Sequence, residues 1–223
     1  MKLYVTNTRE LKPRFSELEK CLTPERLAAI RRVRVESAKL QYLAGGVLLD
    51  RVFGRAAVEQ QQKNRWGKPW IPGERPFNLS NSGDWVVLAL GDTGETSVGC
   101  DVERWKPHHY DGIAQRFHPQ EQDFYFQATG DERIRRFYQL WTLNESYMKF
   151  VGKGFALAPR TFCVALPESQ EQGTENAGAP WLISTPEADF AQCQFQLWED
   201  LPGCTLAACW DGDAPCEREF VEI

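Results

Sequence analysis

Leu40, Leu43, Val47 and Leu48 recur at three- and four-residue steps, which predicts an amphipathic helix over residues 37–53 that stops near Gly54. An earlier helix should begin at Thr23-Pro24-Glu25, with a capping hydroxyl, a proline where no N–H is needed and an acid in the first turn. It is expected to run through Arg31-Arg32-Val33-Arg34. Gly45-Gly46 lie inside the longer helix, where they lower helix propensity. Tight packing against a neighbouring helix is the simplest reason for them, and close approach of backbone to a ligand the alternative. Residues 3–6, 77–80, 85–90 and 97–102 read as strands, the last two predicted to form a hairpin around Gly91-Asp92-Thr93-Gly94. The order then recurs: helices over 113–126 and 132–151, followed by strands over 161–166, 195–198 and 204–210. Residues 167–180, rich in Glu, Gln, Gly and Ala, read as a surface loop between them.

A helices-then-sheet order appearing twice implies an α+β fold of two similar α/β lobes related by a pseudo-twofold, residues 1–102 and 103–223. A ligand site is expected between them. Two lobes in one chain supply such a cleft without a partner subunit, so a monomer is expected. Composition changes little in this picture. The chain has 223 residues, 42% hydrophobic and 26% charged, enough to bury a core. A formal net charge of −5 disfavours general nucleic-acid binding. The seven cysteines are scattered without a Cys-x-x-Cys pair, which suits free thiols in a reducing cytoplasm. No apolar run approaches the roughly 20 residues of a membrane span, and the first residues lack the apolar core of a signal peptide. A soluble cytoplasmic protein with no nucleic-acid or membrane partner is expected.

The candidate chemistry lies in two segments. Alternation along Val98-Gly99-Cys100-Asp101-Val102-Glu103 puts Asp101 and Glu103 on one strand face. A four-residue step puts Glu145 and Lys149 on one helix face, with Trp141 a turn earlier. Three carboxylates without a histidine ligand suit a hard divalent cation such as Mg²⁺, which keeps some waters and engages phosphates. A lysine beside them could hold a phosphate or move a proton. An exposed strand face and a solvated i,i+4 pair would account for the same residues separately. His108, His109 and His118 are too scattered for a zinc site. The run Arg31, Arg32, Arg34 suits a solvated helix face or the docking of an acidic protein.

Several further segments bear on the choice: Trp66-Gly67-Lys68-Pro69, Phe77-Asn78-Leu79-Ser80-Asn81-Ser82-Gly83, Arg116-Phe117-His118-Pro119-Gln120-Glu121, and Leu140-Trp141-Thr142-Leu143-Asn144-Glu145-Ser146-Tyr147-Met148-Lys149 running into Gly152-Lys153-Gly154. With the Asp101–Glu103 segment, and in this order over roughly residues 20–165, the chain resembles a 4′-phosphopantetheinyl transferase of the surfactin-synthetase type. The resemblance implies that family's two-lobed fold. It also implies transfer of 4′-phosphopantetheine from coenzyme A to a serine of an acyl or peptidyl carrier protein, leaving 3′,5′-ADP. Family roles would place Mg²⁺ on Asp101, Glu103 and Glu145, with Glu145 and Lys149 catalytic. Contacts to coenzyme A would fall to Lys39, Lys68, Ser80, Asn81, Lys149 and Lys153, while Glu121 matches a further acidic position. Three places, four residues in all, depart from the pattern. Asn81 stands where many members have histidine, and Asn144 where the family usually has lysine. Gln41 and Tyr42 replace a basic residue and a small hydroxyl, unless Lys39 substitutes. Each departure weakens an anion site as read from sequence. The alternative reading is a divergent, weakly active or inactive relative that binds coenzyme A or a carrier without efficient transfer. Another Mg²⁺-dependent phosphodiester enzyme is a third.

Overall fold

A computed structural model describes residues 1–167 and 178–223. In the N-terminal part, β1 (Lys2–Asn7) is followed by helices α1 (Phe15–Leu18), α2 (Pro24–Arg32), α3 (Glu36–Phe53) and α4 (Arg55–Val58). Short strands β2 (Gln62–Lys63) and β3 (Pro69–Trp70) lead into β4 (Phe77–Ser82), β5 (Trp85–Leu90) and β6 (Val98–Arg104). Helices α5 (Asp111–Ala114), α6 (Pro119–Phe126) and α7 (Gly130–Val151) come next, then strands β7 (Cys163–Ala165), β8 (Trp181–Ser184), β9 (Gln194–Trp198), β10 (Cys204–Trp210) and β11 (Glu217–Phe220).

Two sheets carry the fold, one in the order β11-β1-β5-β4 and the other β6-β10-β9. Period-2 alternation decides what each face meets. Leu3, Val5, Val87 and Ala89 of the first sheet share one core with Val98, Cys100, Val102, Leu206 and Ala208 of the second. On the far side of the first sheet, Val86, Leu88 and Phe77 pack against Leu43, Val47 and Leu48 of α3. On the far side of the second, Ala207 and Cys209 pack against Leu143, Tyr147 and Phe150 of α7. The layers therefore run helix, sheet, sheet, helix. Gly45 and Gly46 serve helix packing: a Cβ on Gly46 would lie 2.2 Å from Leu22 Cδ2, and one on Gly45 2.8 Å from the Arg26 guanidinium.

Several elements differ from expectation. The predicted hairpin of residues 85–90 with 97–102 does not form. β5 pairs with β4 through a tight turn in which Gly83 takes a positive φ of 57°, and its other edge is taken by β1. With both edges occupied it has no backbone groups left for β6, which crosses to the second sheet and pairs with β10. The helix expected over 113–126 is split, because Pro119 starts a new helix capped by His118. α2 ends at Arg32, two residues short of expectation, with Val33 extended. Residues on either side of position 102 share one strand, and β11 returns to pair in parallel with β1. Within the loop expected over 167–180, residues 168–177 lie outside the described residues. All seven cysteines are free.

Candidate active site

β4 and β6 belong to different sheets yet lie side by side, and side chains make the joint. Asn78, Ser80 and Ser82 alternate along β4 toward β6. The N–H of Cys100 donates to Asn78 Oδ1 (3.0 Å), that of Val102 to Ser80 Oγ (3.3 Å) and that of Arg104 to Ser82 Oγ (3.0 Å). Buried backbone donors need partners, and three polar side chains replace a missing ladder here. The two serines then donate onward. Ser80 Oγ donates to Asp101 Oδ1 at 2.7 Å and Ser82 Oγ to Glu103 Oε2 at 2.8 Å. The seam between the sheets thus presents Asp101 and Glu103 toward α7.

Across from them stands α7, 22 residues long and ended by Gly152 in the left-handed region (φ 77°). It approaches β6 closely at Gly99. Lys149 Nζ donates to Asp101 Oδ1 at 2.5 Å and to Ser80 Oγ at 3.0 Å. Trp141, a turn before Glu145 on the same helix face, donates from Nε1 to Glu103 Oε1 at 3.4 Å. Asp101 is buried, while Glu103, Glu145 and Lys149 are half-buried.

Electrostatics follows from this crowding. Burial, and then the charges of Asp101 and Glu103, push Glu145 up to about 7 against the opposing pull of Lys149. Burial and Asp101 also raise Glu103, less strongly because Ser82 and Trp141 donate to it. Burial works against the Lys149 ammonium, but Asp101 and Glu145 outweigh it and raise the pKa. One oxygen, Asp101 Oδ2, is buried without a hydrogen-bond partner. A buried carboxylate oxygen left this way, beside two acids that the Asp101 charge raises, fits a hard cation. Among the described residues no three His, Cys, Asp or Glu side chains are gathered closely enough to form a finished metal cage.

The other expected residues fall out differently. Asn81 is exposed and donates to Gln41 Oε1 (2.8 Å), while Gln41 Nε2 donates to the carbonyl of Gly83 (2.8 Å). Two of the departures noted in sequence, Asn81 and Gln41, therefore bind each other and join α3 to the β4–β5 turn. Asn144 corrects its own reading. It is buried and donates to Glu121 Oε2 at 3.0 Å, roughly a quarter-turn from Glu145, so it does not face the carboxylates. Glu121 also accepts from the N–H groups of Val164 and His118, tying α6, α7 and β7 together. Burial pushes it up to about 7 despite these donors. Lys153 is paired with Glu187 through both carboxylate oxygens (2.7 Å each), and Lys39 meets Glu36 of its own helix at 3.9 Å. Lys68 is held by Ser97 Oγ, Val98 O and Phe150 O at 2.7, 3.0 and 3.0 Å, and burial lowers its ammonium to about 8. Neither Lys68 nor Lys153 extends a free ammonium toward the acids. The seam residues Asn78 and Ser82 escaped sequence reasoning as site residues. Their signal is the polar alternation at 78, 80 and 82 beside the wholly apolar β5.

Glu121 and Glu145 have a pH consequence. Both are raised from 4.5 to about 7 in the fold, so the native state keeps protons that the unfolded chain releases in that interval. Their contribution to stability is present below the unfolded value and is lost as pH rises through about 7. The melting temperature without divalent metal should therefore fall from about pH 5 to about pH 8, and Glu145→Gln should flatten that slope. An unchanged slope in the variant would contradict the assignment.

Comparisons with known proteins bear on the same residues. The family model described as the 4′-phosphopantetheinyl transferase superfamily matches residues 97–205, the stretch that holds Asp101, Glu103, Glu145 and Lys149. The chain is 30% identical over 198 residues to 4′-phosphopantetheinyl transferase Sfp of Bacillus subtilis (strain 168), covering 84% of this chain and 81% of the relative. It is 33% identical over 177 residues to 4′-phosphopantetheinyl transferase ffp of Bacillus subtilis, covering 73% and 72%. To 4′-phosphopantetheinyl transferase gsp of Aneurinibacillus migulanus it is 32% identical over 127 residues, covering 56% and 52%.

Proposed function

Because the chain belongs to the 4′-phosphopantetheinyl transferase superfamily, we propose that it moves 4′-phosphopantetheine from coenzyme A to a serine hydroxyl of an acyl or peptidyl carrier protein. The observation that carries this reading is the Lys149–Asp101–Ser80 contact on the seam, with Asp101 Oδ2 unpartnered and the partly buried Glu145 beside it. Asp101, Glu103 and Glu145 would hold Mg²⁺, which supplies charge neutralisation for a diphosphate. The chain's own residues do the rest. Glu145 takes the proton of the attacking serine hydroxyl directly or through water. Serine oxygen bonds to phosphorus as the P–O bond to the 3′,5′-ADP phosphate breaks. Lys149, held charged by Asp101, steadies the diphosphate or returns a proton to the leaving oxygen. Ser80, which accepts from Lys149, would contact coenzyme A there, and Asn81, turned to the other face of β4 against Gln41, would contact it elsewhere. The reaction needs positioning and charge neutralisation more than covalent help, which suits a site of acids and one lysine.

The test is direct. Incubation with coenzyme A, Mg²⁺ and a panel of apo carriers of fatty-acid, polyketide and peptide-synthetase types should add the phosphopantetheine mass to at least one carrier. Chelation should prevent it. No gain on any carrier, at high enzyme and coenzyme A, would overturn the proposal.

A further inference from the structure

We propose that Lys68 is a positioning residue: with Ser97 and Asn64 it clamps the C-terminal turn of α7 and so sets Lys149 and Glu145 over β6. Its bearing on rate rests on the transferase reading above, whereas the clamp itself does not. The last carbonyls of a helix have no partner within it, and they carry the negative end of the helix dipole. In α7 those carbonyls are met from outside. Lys68 Nζ donates to Phe150 O at 3.0 Å, Ser97 Oγ donates to the same oxygen, and Asn64 Nδ2 donates to Gly152 O at 2.9 Å. A cation at this end is the favourable sign. Phe150 directly follows Lys149, so the clamp acts one residue from the ammonium on Asp101.

The loop that supplies the clamp is built for it. Asn64 Oδ1 accepts from the N–H groups of Trp66 and Lys68 at 2.9 Å each, and Gly67 turns with a φ of 94°. Lys68 then runs past Gly152, where a Cβ would lie 2.8 Å from Lys68 Cδ. The left-handed glycine therefore both ends the helix and makes room for the lysine. Lys68 also donates to Ser97 Oγ and Val98 O, at 2.7 and 3.0 Å, where β6 begins. One ammonium thus joins the end of α7 to the start of the strand bearing Asp101 and Glu103. Its three N–H donors match these three oxygens, leaving none for a phosphate.

The experiment compares Lys68→Met, Ser97→Ala and the double variant in the full chain. It measures kcat, the Kd for coenzyme A with Mg²⁺, and hydrogen exchange of the α7 C-terminal amides. The clamp predicts that both single variants lower kcat by about tenfold or more, because small misplacements of reacting groups are costly. It predicts that any change in Kd is shared by the two single variants, because both act through Lys149 and Glu145 rather than by touching coenzyme A. The double variant should be little worse than the poorer single, and exchange near Phe150 should rise in all three. A tenfold weaker Kd in Lys68→Met alone, with Ser97→Ala unaffected, would overturn the clamp in favour of direct phosphate contact. Unchanged exchange in both single variants would overturn it as well. Ser97→Ala keeps the lysine and the fold's charge balance, so a poorly folding Lys68→Met leaves the test standing. If the parent neither binds coenzyme A nor modifies a carrier, the functional reading fails while hydrogen exchange still decides the clamp.

Discussion

Asp101→Asn is expected to lower kcat/KM for carrier modification by about a thousandfold, the scale seen when one preorganised charge is removed from a polar active site. Asparagine keeps the shape and one oxygen to accept from Lys149 and Ser80, so the fold should survive. What disappears is the charge that holds the Lys149 ammonium at 2.5 Å and that Oδ2 would offer a cation. A second readout is independent of rate. The Asp101 charge helps raise both Glu103 and Glu145, so its removal should bring Glu145 down from about 7, visible in a carboxyl titration by NMR. Mg²⁺ should also cease to raise the melting temperature of the variant, because binding to the native state is what stabilises it. Activity within tenfold of the parent, with Glu145 still near neutral, would remove Asp101 from the centre of the site.

Among the glycines of the described residues, Gly99 should be the one where an added methyl is most damaging. A Cβ there would sit 2.0 Å from the Ser146 carbonyl oxygen and 2.5 Å from the Phe150 nitrogen. Both are backbone atoms of α7, so no side chain can swing aside. The helix would have to retreat from β6, and overpacking of this kind costs about 3 kcal/mol or somewhat more. For a chain of this size that is a fall in melting temperature of roughly 6–12 °C. Because Gly99 lies two residues before Asp101, the molecules that remain folded should also lose the Lys149 contact and turn over slowly. Gly112→Ala is the control: nothing lies within 4 Å of its Cβ position, and it should change stability by less than about 0.5 kcal/mol. A Gly99→Ala protein that melts with the parent would mean α7 and β6 are less closely packed than described.

Much of this was legible along the chain, and for local reasons. Alternation in residues 98–103 put Asp101 and Glu103 on one face, and the four-residue step from Glu145 to Lys149 did the same on α7, because strand and helix periods are properties of the backbone alone. Thr23-Pro24 marked a helix start, and Gly54 and Gly152 mark helix ends, by the same local chemistry. The polar residues at 78, 80 and 82 carried the seam in plain view, but their meaning depended on a neighbour that no local rule names. The mistaken pairing of residues 85–90 with 97–102 arose because adjacency along the chain says nothing about which strand edges are already taken. Strand β11, Glu-Arg-Glu-Phe, gave no apolar signal because it is a largely exposed edge.

The cations divide along the same line. Spacing singled out Lys149, the family resemblance added Lys68 and Lys153 as charges expected near the same site, and local sequence determined the elements around them. Only the tertiary structure decided what each charge meets: Asp101 for Lys149, Glu187 for Lys153, and the carbonyl end of α7 for Lys68. It likewise turned Asn144 away from Asp101, Glu103 and Glu145 and onto Glu121. The physical reason is that a helix or strand period fixes direction within an element. The partner of a long, flexible, charged side chain is chosen by whichever oxygen the packing of distant segments brings within 3 Å.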